Sequence, residues 1–241
     1  MSPPAVRLGM LTPSSNTVLE PVTAAMLRDL PEVSAHFGRF RVTEISLNTH
    51  ALGQFDDTRL LEAARLLADA RVDVIAWNGT SSGWLGFAAD EALCAAITRE
   101  TGIPATSSVL ALNEIMTATG ARNIAFVTPY LHEIQARIVA NYEAAGFTIA
   151  AERHLNDPGN FSFAEITGTQ IAGMIREVAR SAPDCIATFC TNLRAAPLVA
   201  ALEDELGIPI YDTIATVLWK SLRLAGVSPG RISGWGRLMA L

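Results

Sequence analysis

The chain has 241 residues, half of them hydrophobic and only 17% charged, with a formal net charge of -6. That composition excludes a disordered chain and allows one large domain or two small lobes. The acidic balance and the lack of any Lys/Arg cluster argue against nucleic acid as a partner, and no apolar run approaches the roughly 18 residues of a membrane span. The start, Met1-Ser2-Pro3-Pro4-Ala5-Val6-Arg7, lacks the basic-then-apolar order of a signal peptide, so a cytoplasmic protein with no membrane partner is expected.

The chemistry-bearing residues narrow the field further. Cys94, Cys185 and Cys190 form no C-x-x-C and no set of pairs, which suits free thiols in a reducing compartment. His36, His50, His132 and His154 have no ligand spacing to Cys or acids, so no metal is expected. Schiff-base chemistry needs a lysine in the site, and the one lysine, Lys220, falls on an amphipathic helix. Phosphate-loop and dinucleotide fingerprints are missing, so no cofactor is expected.

In chain order, residues 6–11 are an apolar run ending in Thr12-Pro13-Ser14-Ser15-Asn16, and residues 18–30 read as a helix with Glu20 in its first turn. Residues 40–47 alternate as a second strand, and residues 57–70 place Leu60, Leu61, Ala64, Leu67 and Ala68 along one side of a helix. Residues 72–77 read as a strand buried on both faces, which ends in Asn78-Gly79-Thr80-Ser81-Ser82-Gly83-Trp84. A helix over 89–101 stops at Gly102 with Pro104 beyond, and a strand at 104–107 and a helix at 109–119 complete a half.

Then the order restarts. A strand over 123–127 ends in Thr128-Pro129-Tyr130, a helix over 132–145 stops at Gly146, and a strand follows at 148–152. The turn-rich residues of a loop over 155–163 are of a kind that covers sites. A helix over 165–182 leads to a second apolar run, Ile186-Ala187-Thr188-Phe189, which stops at Cys190-Thr191-Asn192-Leu193. A helix over 195–206, a strand over 208–211, a helix over 214–224 and a Gly-rich tail over 226–241 complete the chain.

This alternation predicts an α/β fold with parallel sheets. The halves also overlay. Leu11-Thr12-Pro13-Ser14 answers to Val127-Thr128-Pro129-Tyr130, and Asp73-Val74-Ile75-Ala76-Trp77-Asn78-Gly79-Thr80 answers to Asp184-Cys185-Ile186-Ala187-Thr188-Phe189-Cys190-Thr191. Glu100-Thr101-Gly102-Ile103-Pro104 answers to Glu205-Leu206-Gly207-Ile208-Pro209. The expectation is two pseudo-symmetric lobes, residues 1–118 and 119–212, with 213–241 packing back on the first. The active site lies in the cleft between them, at the carboxyl ends of both sheets.

In the overlay Gly79 stands where Cys190 stands. A cysteine on an apolar strand is usually a small buried hydrophobe. At a strand's carboxyl end it is also a candidate acid/base, and a thiol pKa of about 8.5 suits either role. Two facing cysteines would move protons on both faces of a carbon; one cysteine and one glycine leave a one-sided transfer by Cys190. Proton chemistry beside a carboxylate passes through an enediolate, which needs hydrogen-bond donors in a dry cleft. Thr80, Ser81 and Tyr130 are candidates for that role, and Thr191 and Asn192 mirror Thr80 and Ser81. Ser14, Ser15 and Asn16 are candidates for binding a substrate carboxylate; each is equally a helix-cap residue type.

Leu11-Thr12-Pro13-Ser14-Ser15-Asn16-Thr17-Val18-Leu19-Glu20-Pro21, with Gly79-Thr80-Ser81, Thr128-Pro129-Tyr130 and the Cys190 strand, resembles the aspartate/glutamate racemase superfamily. Within it the chain is most similar to the branch of arylmalonate decarboxylases and maleate cis-trans isomerases. The decarboxylase resemblance implies that Thr80, Ser81 and Tyr130 hold an enediolate beside Gly79 while Cys190 protonates it. The isomerase pattern has a nucleophilic cysteine where this chain has Gly79. Yet Ser14-Ser15-Asn16 is similar to the isomerase loop, whose asparagine binds a substrate carboxylate, and Ser82 stands where the decarboxylase has a bulky apolar residue.

The resemblance therefore implies a cofactor-independent enzyme acting on a small dicarboxylic acid. Decarboxylation of a substituted malonate is the first expectation, and isomerisation or racemisation of a small dicarboxylic acid the second. A non-catalytic binder of small acids is the third. Apolar residues in the terminal segment leave a homo-oligomer open.

Overall fold

Each short apolar run becomes a strand because burial on both faces suits it, and the helices between strands cover those faces. The computed structural model describes residues 5–42 and 57–241. Its first sheet has β1 (Val6–Pro13), β2 (Val33–Phe40), β3 (Val74–Trp77) and β4 (Ala105–Ser107) in the order β2-β1-β3-β4, all parallel. The second repeats that order with β5 (Asn123–Thr128), β6 (Thr148–His154), β7 (Cys185–Thr188) and β8 (Ile210–Asp212) as β6-β5-β7-β8, again parallel. The helices are α1 (Leu19–Met26), α2 (Asp57–Asp69), α3 (Ser82–Leu85), α4 (Phe87–Thr101) and α5 (Ser108–Thr119) in the first half. In the second they are α6 (His132–Ala144), α7 (Gly168–Ala179), α8 (Val199–Leu206) and α9 (Thr213–Leu224).

The repeat extends to the interactions that fasten each half. Asp73 accepts a hydrogen bond from the Arg7 amide at the start of β1, and Asp184 accepts two at the start of β5, from Arg122 and Asn123. Arg65 pairs with Glu100 across α2 and α4, as Arg176 pairs with Glu205 across α7 and α8. Gly102 and Gly207 end their helices at φ +72° and +71°, a left-handed cap that glycine adopts without strain. At the last helix of each half, Ser107 caps α5 and Asp212 caps α9.

Several elements differ from the expected ones. The second strand is Val33–Phe40, not 40–47, of which residues 43–47 lie outside the described residues, as does His50. As the edge strand of its sheet, β2 carries mostly half-buried residues, so it lacks the apolar run that marked the central strands. The helix expected over 165–182 is a 3-10 turn at Ser162–Glu165 and then α7, which begins where the Thr167–Gln170 capping box satisfies its first amides. The helix expected over 195–206 likewise opens as a 3-10 turn at Ala196–Leu198, with Pro197 lacking an amide to donate. Ser82 to Trp84 form a short helix of their own, separated from α4 by Gly86 at φ +101°.

The two sheets meet through packed elements. Helix α9 leaves β8 of the second sheet and lies against α5, α1 and β3 of the first; Thr216 bonds to the Ser108 carbonyl at 3.1 Å, and Lys220 pairs with Glu114. The last residues touch both halves: Arg231 pairs with Glu32, Ser233 binds Asp29, and the Arg237 amide binds Glu203. Leu238 and Met239 of this segment are buried within the chain itself. Among the described residues no helix is long and apolar enough to cross a membrane.

The halves pack tightly at Gly83. A Cβ there would lie 2.6 Å from Cε1 and Cζ of the fully buried Phe189, so α3 can sit on that ring only because residue 83 has no side chain. Asn141 also binds the Gly83 carbonyl at 2.9 Å. Gly83→Ala is expected to lower the unfolding free energy by about 1–3 kcal/mol through overpacking, measured by denaturant titration. A variant as stable as the wild type would contradict this packing.

Candidate active site

Gly79 and Cys190 are each the second residue beyond a central strand, β3 and β7. The crossover order of the sheets brings both strand ends to one cavity, lined by Pro13, Trp77, Gly79, Thr80, Ser81, Trp84, Tyr130, Asn160, Cys190 and Thr191. Its volume is about 20 Å³, room for about one water. Its lining combines the apolar and aromatic Pro13, Trp77 and Trp84 with the hydroxyls of Thr80, Ser81 and Tyr130 and the Cys190 thiol.

Thr80, Ser81, Tyr130 and Cys190 are all nearly inaccessible to solvent. The Thr80 and Tyr130 hydroxyls lie 2.5 Å apart, and the Tyr130 hydroxyl also bonds to the Cys190 sulfur. The Asn192 amide points at the same sulfur from 3.4 Å, while the Leu193 amide bonds to the Cys190 carbonyl at 3.2 Å. Burial pushes the Cys190 thiol up to about 12, against the opposing pull of these donors, so the thiol is neutral across the physiological range. Burial, with the nearby sulfur, also raises the Tyr130 phenol well above its ordinary value. The site thus holds a protonated thiol, and the Tyr130 hydroxyl and the Asn192 amide face the thiolate that would remain after it gave its proton away.

The other expected site residues occupy different places. Asn16 is buried between the halves: its amide nitrogen donates to the Thr191 carbonyl and hydroxyl, and its oxygen accepts from the Val18 and Leu19 amides. Asn192 answers from the other side, accepting from the Thr17 and Val18 amides and donating to the Asn160 carbonyl at 2.6 Å. Thr191 lines the cavity and gives its hydroxyl proton to the Asn78 carbonyl at 3.0 Å. Asn16, Thr191 and Asn192 therefore clasp the two halves together. Ser14 and Ser15 bond to the Val42 backbone and do not line the cavity.

The loop over 155–163 joins this clasp. Its Asn156 and Asp157 amides bond to the Tyr130 and Pro129 carbonyls, while the buried Asn160 reaches across to the Ser15 hydroxyl at 2.8 Å. Phe163, fully buried, meets the Tyr130 ring edge-on. Arg194 is exposed and bonds to the Ala164 carbonyl. Ser82 is buried behind the cavity wall, beside the Asp90 carboxyl.

Three buried carboxyls, Asp90, Glu203 and Asp212, escaped the sequence reading. Asp212 caps α9, accepts the Thr188 hydroxyl at 2.8 Å and is raised to about 6 by burial; its charge in turn raises Cys190. Asp90, in the first turn of α4, is raised to about 6 by burial as well. Asp-Thr ahead of an apolar helix was the available signal for Asp212, as a cap. Among the described residues no group of three or more His, Cys, Asp or Glu is arranged to hold a metal.

Two four-stranded parallel sheets flanked by helices, with their central strands ending at one cavity, fit the branch of the aspartate/glutamate racemase superfamily that holds arylmalonate decarboxylases and maleate isomerases. Residues 9–239 match the family model described as arylmalonate decarboxylase, and the chain belongs to that family. It is 31% identical to a maleate isomerase of Nocardia farcinica, over 97% of this chain and 95% of that one, and 25% identical to an arylmalonate decarboxylase of Bordetella bronchiseptica, over 96% and 95%. The structure of the Nocardia farcinica maleate cis-trans isomerase carrying a covalently bound succinylcysteine intermediate superposes with a TM-score of 0.89 at 28% identity, covering 97% of this chain and 98% of that one.

The raised Asp212 carboxyl has a definite pH signature. Between its ordinary 3.8 and about 6 the folded protein keeps a proton that the unfolded chain has lost, so this group's contribution to stability is full below 3.8 and is lost as pH rises through about 6. Asp212→Asn keeps the capping oxygen and removes the ionisation. Relative to wild type, the variant should gain on the order of 2 kcal/mol as pH rises from about 4 to about 7, read from denaturant unfolding at each pH. A difference that does not change with pH would contradict burial as the cause of the shift.

Proposed function

We propose that this protein is a cofactor-independent decarboxylase of a substituted malonate, acting through an enediolate that Cys190 protonates. The observation that carries the reading is the asymmetry of the cleft. The position answering to Cys190 is Gly79, and the space over it is filled by the Trp77 indole: a Cβ at 79 would lie within 2.5 Å of Cε2 and Cη2 of that ring. One thiol faces the cavity, it is neutral, and a neutral thiol is a proton donor rather than a nucleophile.

In this mechanism the substrate enters as the halves part, one carboxylate taking the hydrogen bonds that Thr80 and Tyr130 make to each other in the closed cleft. Ser81 lines the same wall. The second carboxylate lies against Pro13, Trp77 and Trp84, an apolar wall that disfavours its charge and favours its departure as CO₂. The electron pair left on carbon spreads into the remaining carboxylate, whose two oxygens are met by the hydroxyls. Cys190 then gives its proton to the carbon, and the Asn192 amide holds the thiolate until solvent reprotonates it. The buried placement of Ser82 behind the wall keeps its hydroxyl out of the apolar side.

A second reading, cis-trans isomerisation of maleate or a related diacid with Cys190 as the sole thiol, is favoured by the 31% identity to the Nocardia farcinica isomerase. Proton NMR in deuterated water separates the two. With phenylmalonate and an alkylated phenylmalonate, the decarboxylase reading predicts arylacetates deuterated at the α-carbon; fumarate from maleate would overturn it in favour of the second reading. Cys190→Ala is expected to lose at least about a hundredfold in kcat, the scale of a general acid's contribution, with substrate binding retained. Turnover within a few-fold of wild type would contradict the assignment of the proton to Cys190.

A further inference from the structure

We propose that Trp77 is a specificity-determining residue: its indole occupies the volume a side chain at position 79 would need, and so closes one face of the substrate carbon to acid/base chemistry. The inference rests on the decarboxylase reading for its chemistry and on geometry for its placement. Trp77 is 1% exposed and stacks at a tilt on Phe40, with ring centroids 5.1 Å apart. The backbone beside Gly79 is also fixed. The Asn78 carbonyl accepts the Thr191 hydroxyl at 3.0 Å, and the Asn78 side chain bonds to the Leu11 and Ala76 carbonyls at 3.1 and 2.9 Å. Neither the ring nor the chain has slack to admit a Cβ, so glycine at 79 is imposed by tryptophan at 77. With the opposite wall inert, the proton reaches the carbon only from the Cys190 side, and the product is a single enantiomer.

The pair is tested by a double-mutant cycle of Trp77→Leu and Gly79→Cys, read by thermal midpoint and by exchange of enantiopure 2-phenylpropionate in deuterated water. Gly79→Cys alone should lower the midpoint by several degrees and leave the acid unexchanged. In the Trp77→Leu background the same substitution should cost little. At alkaline pH the introduced cysteine, ionised to its thiolate, then takes the α-proton, the C–H electron pair entering the enediolate, and Cys190 returns a deuteron to the other face, so exchange is accompanied by racemisation. Additive midpoints, or equal exchange by Gly79→Cys with and without Trp77, would overturn the proposal. If Gly79→Cys does not fold, Gly79→Ala in both backgrounds gives the same thermal comparison. Failure of the wild type to decarboxylate any malonate removes the chemical reading but leaves the thermal cycle to decide whether Trp77 excludes a side chain at 79. Thermal coupling without exchange in the double variant overturns the one-face claim.

Discussion

The Cys190 sulfur is kept dry, and the arrangement of the cleft follows from that constraint. Dryness holds the proton on the thiol, because burial disfavours the thiolate more strongly than Tyr130 and the Asn192 amide favour it. It is achieved by parts from the whole chain: β7 delivers the cysteine, and α3 covers Phe189 just before it. The Asn16–Thr191–Asn192 clasp and the loop carrying Asn160 seal the halves against each other. Thr191 belongs both to this clasp and to the lining of the cavity, so the contact between the halves reaches the cavity wall itself.

The scaffold is more symmetric than its chemistry. Strand order, the capping glycines, the Asp-to-amide fastenings and the Arg–Glu pairs all repeat between the halves. The repeat fails at the strand ends, where an indole and a glycine stand on one side and a thiol on the other. Symmetric support places both positions at one cavity, and the departure from symmetry makes the cavity one-sided. Relatives on this scaffold include both a maleate isomerase and an arylmalonate decarboxylase, so the fold alone does not fix the reaction.

Much of this was legible in the sequence because it rests on local signals. Short apolar runs punctuated by Gly and Pro mark central strands and helix ends regardless of what packs on them, and the overlay of the halves placed Gly79 opposite Cys190. What was not legible depends on direction and depth. Edge strand β2 has no apolar run to announce it. Asn16, Thr191 and Asn192 are small polar residues at strand ends, a composition shared by substrate ligands and by inter-lobe clasps, and only their partners tell these apart. Asp90 and Asp212 look like ordinary helix-start carboxylates until their burial is known. Trp77 reads as core or cleft wall; that its ring lies over Gly79 follows from a side-chain orientation no periodicity records.

The most direct test of a neutral, sole-donor Cys190 is the difference in ultraviolet thiolate absorbance between wild type and Cys190→Ala as a function of pH. The account predicts no Cys190 thiolate between about pH 6 and 9, where an unperturbed thiol would already be titrating. A thiolate signal that belongs to Cys190 and appears below about pH 8 would contradict it, and would make the residue a nucleophile instead.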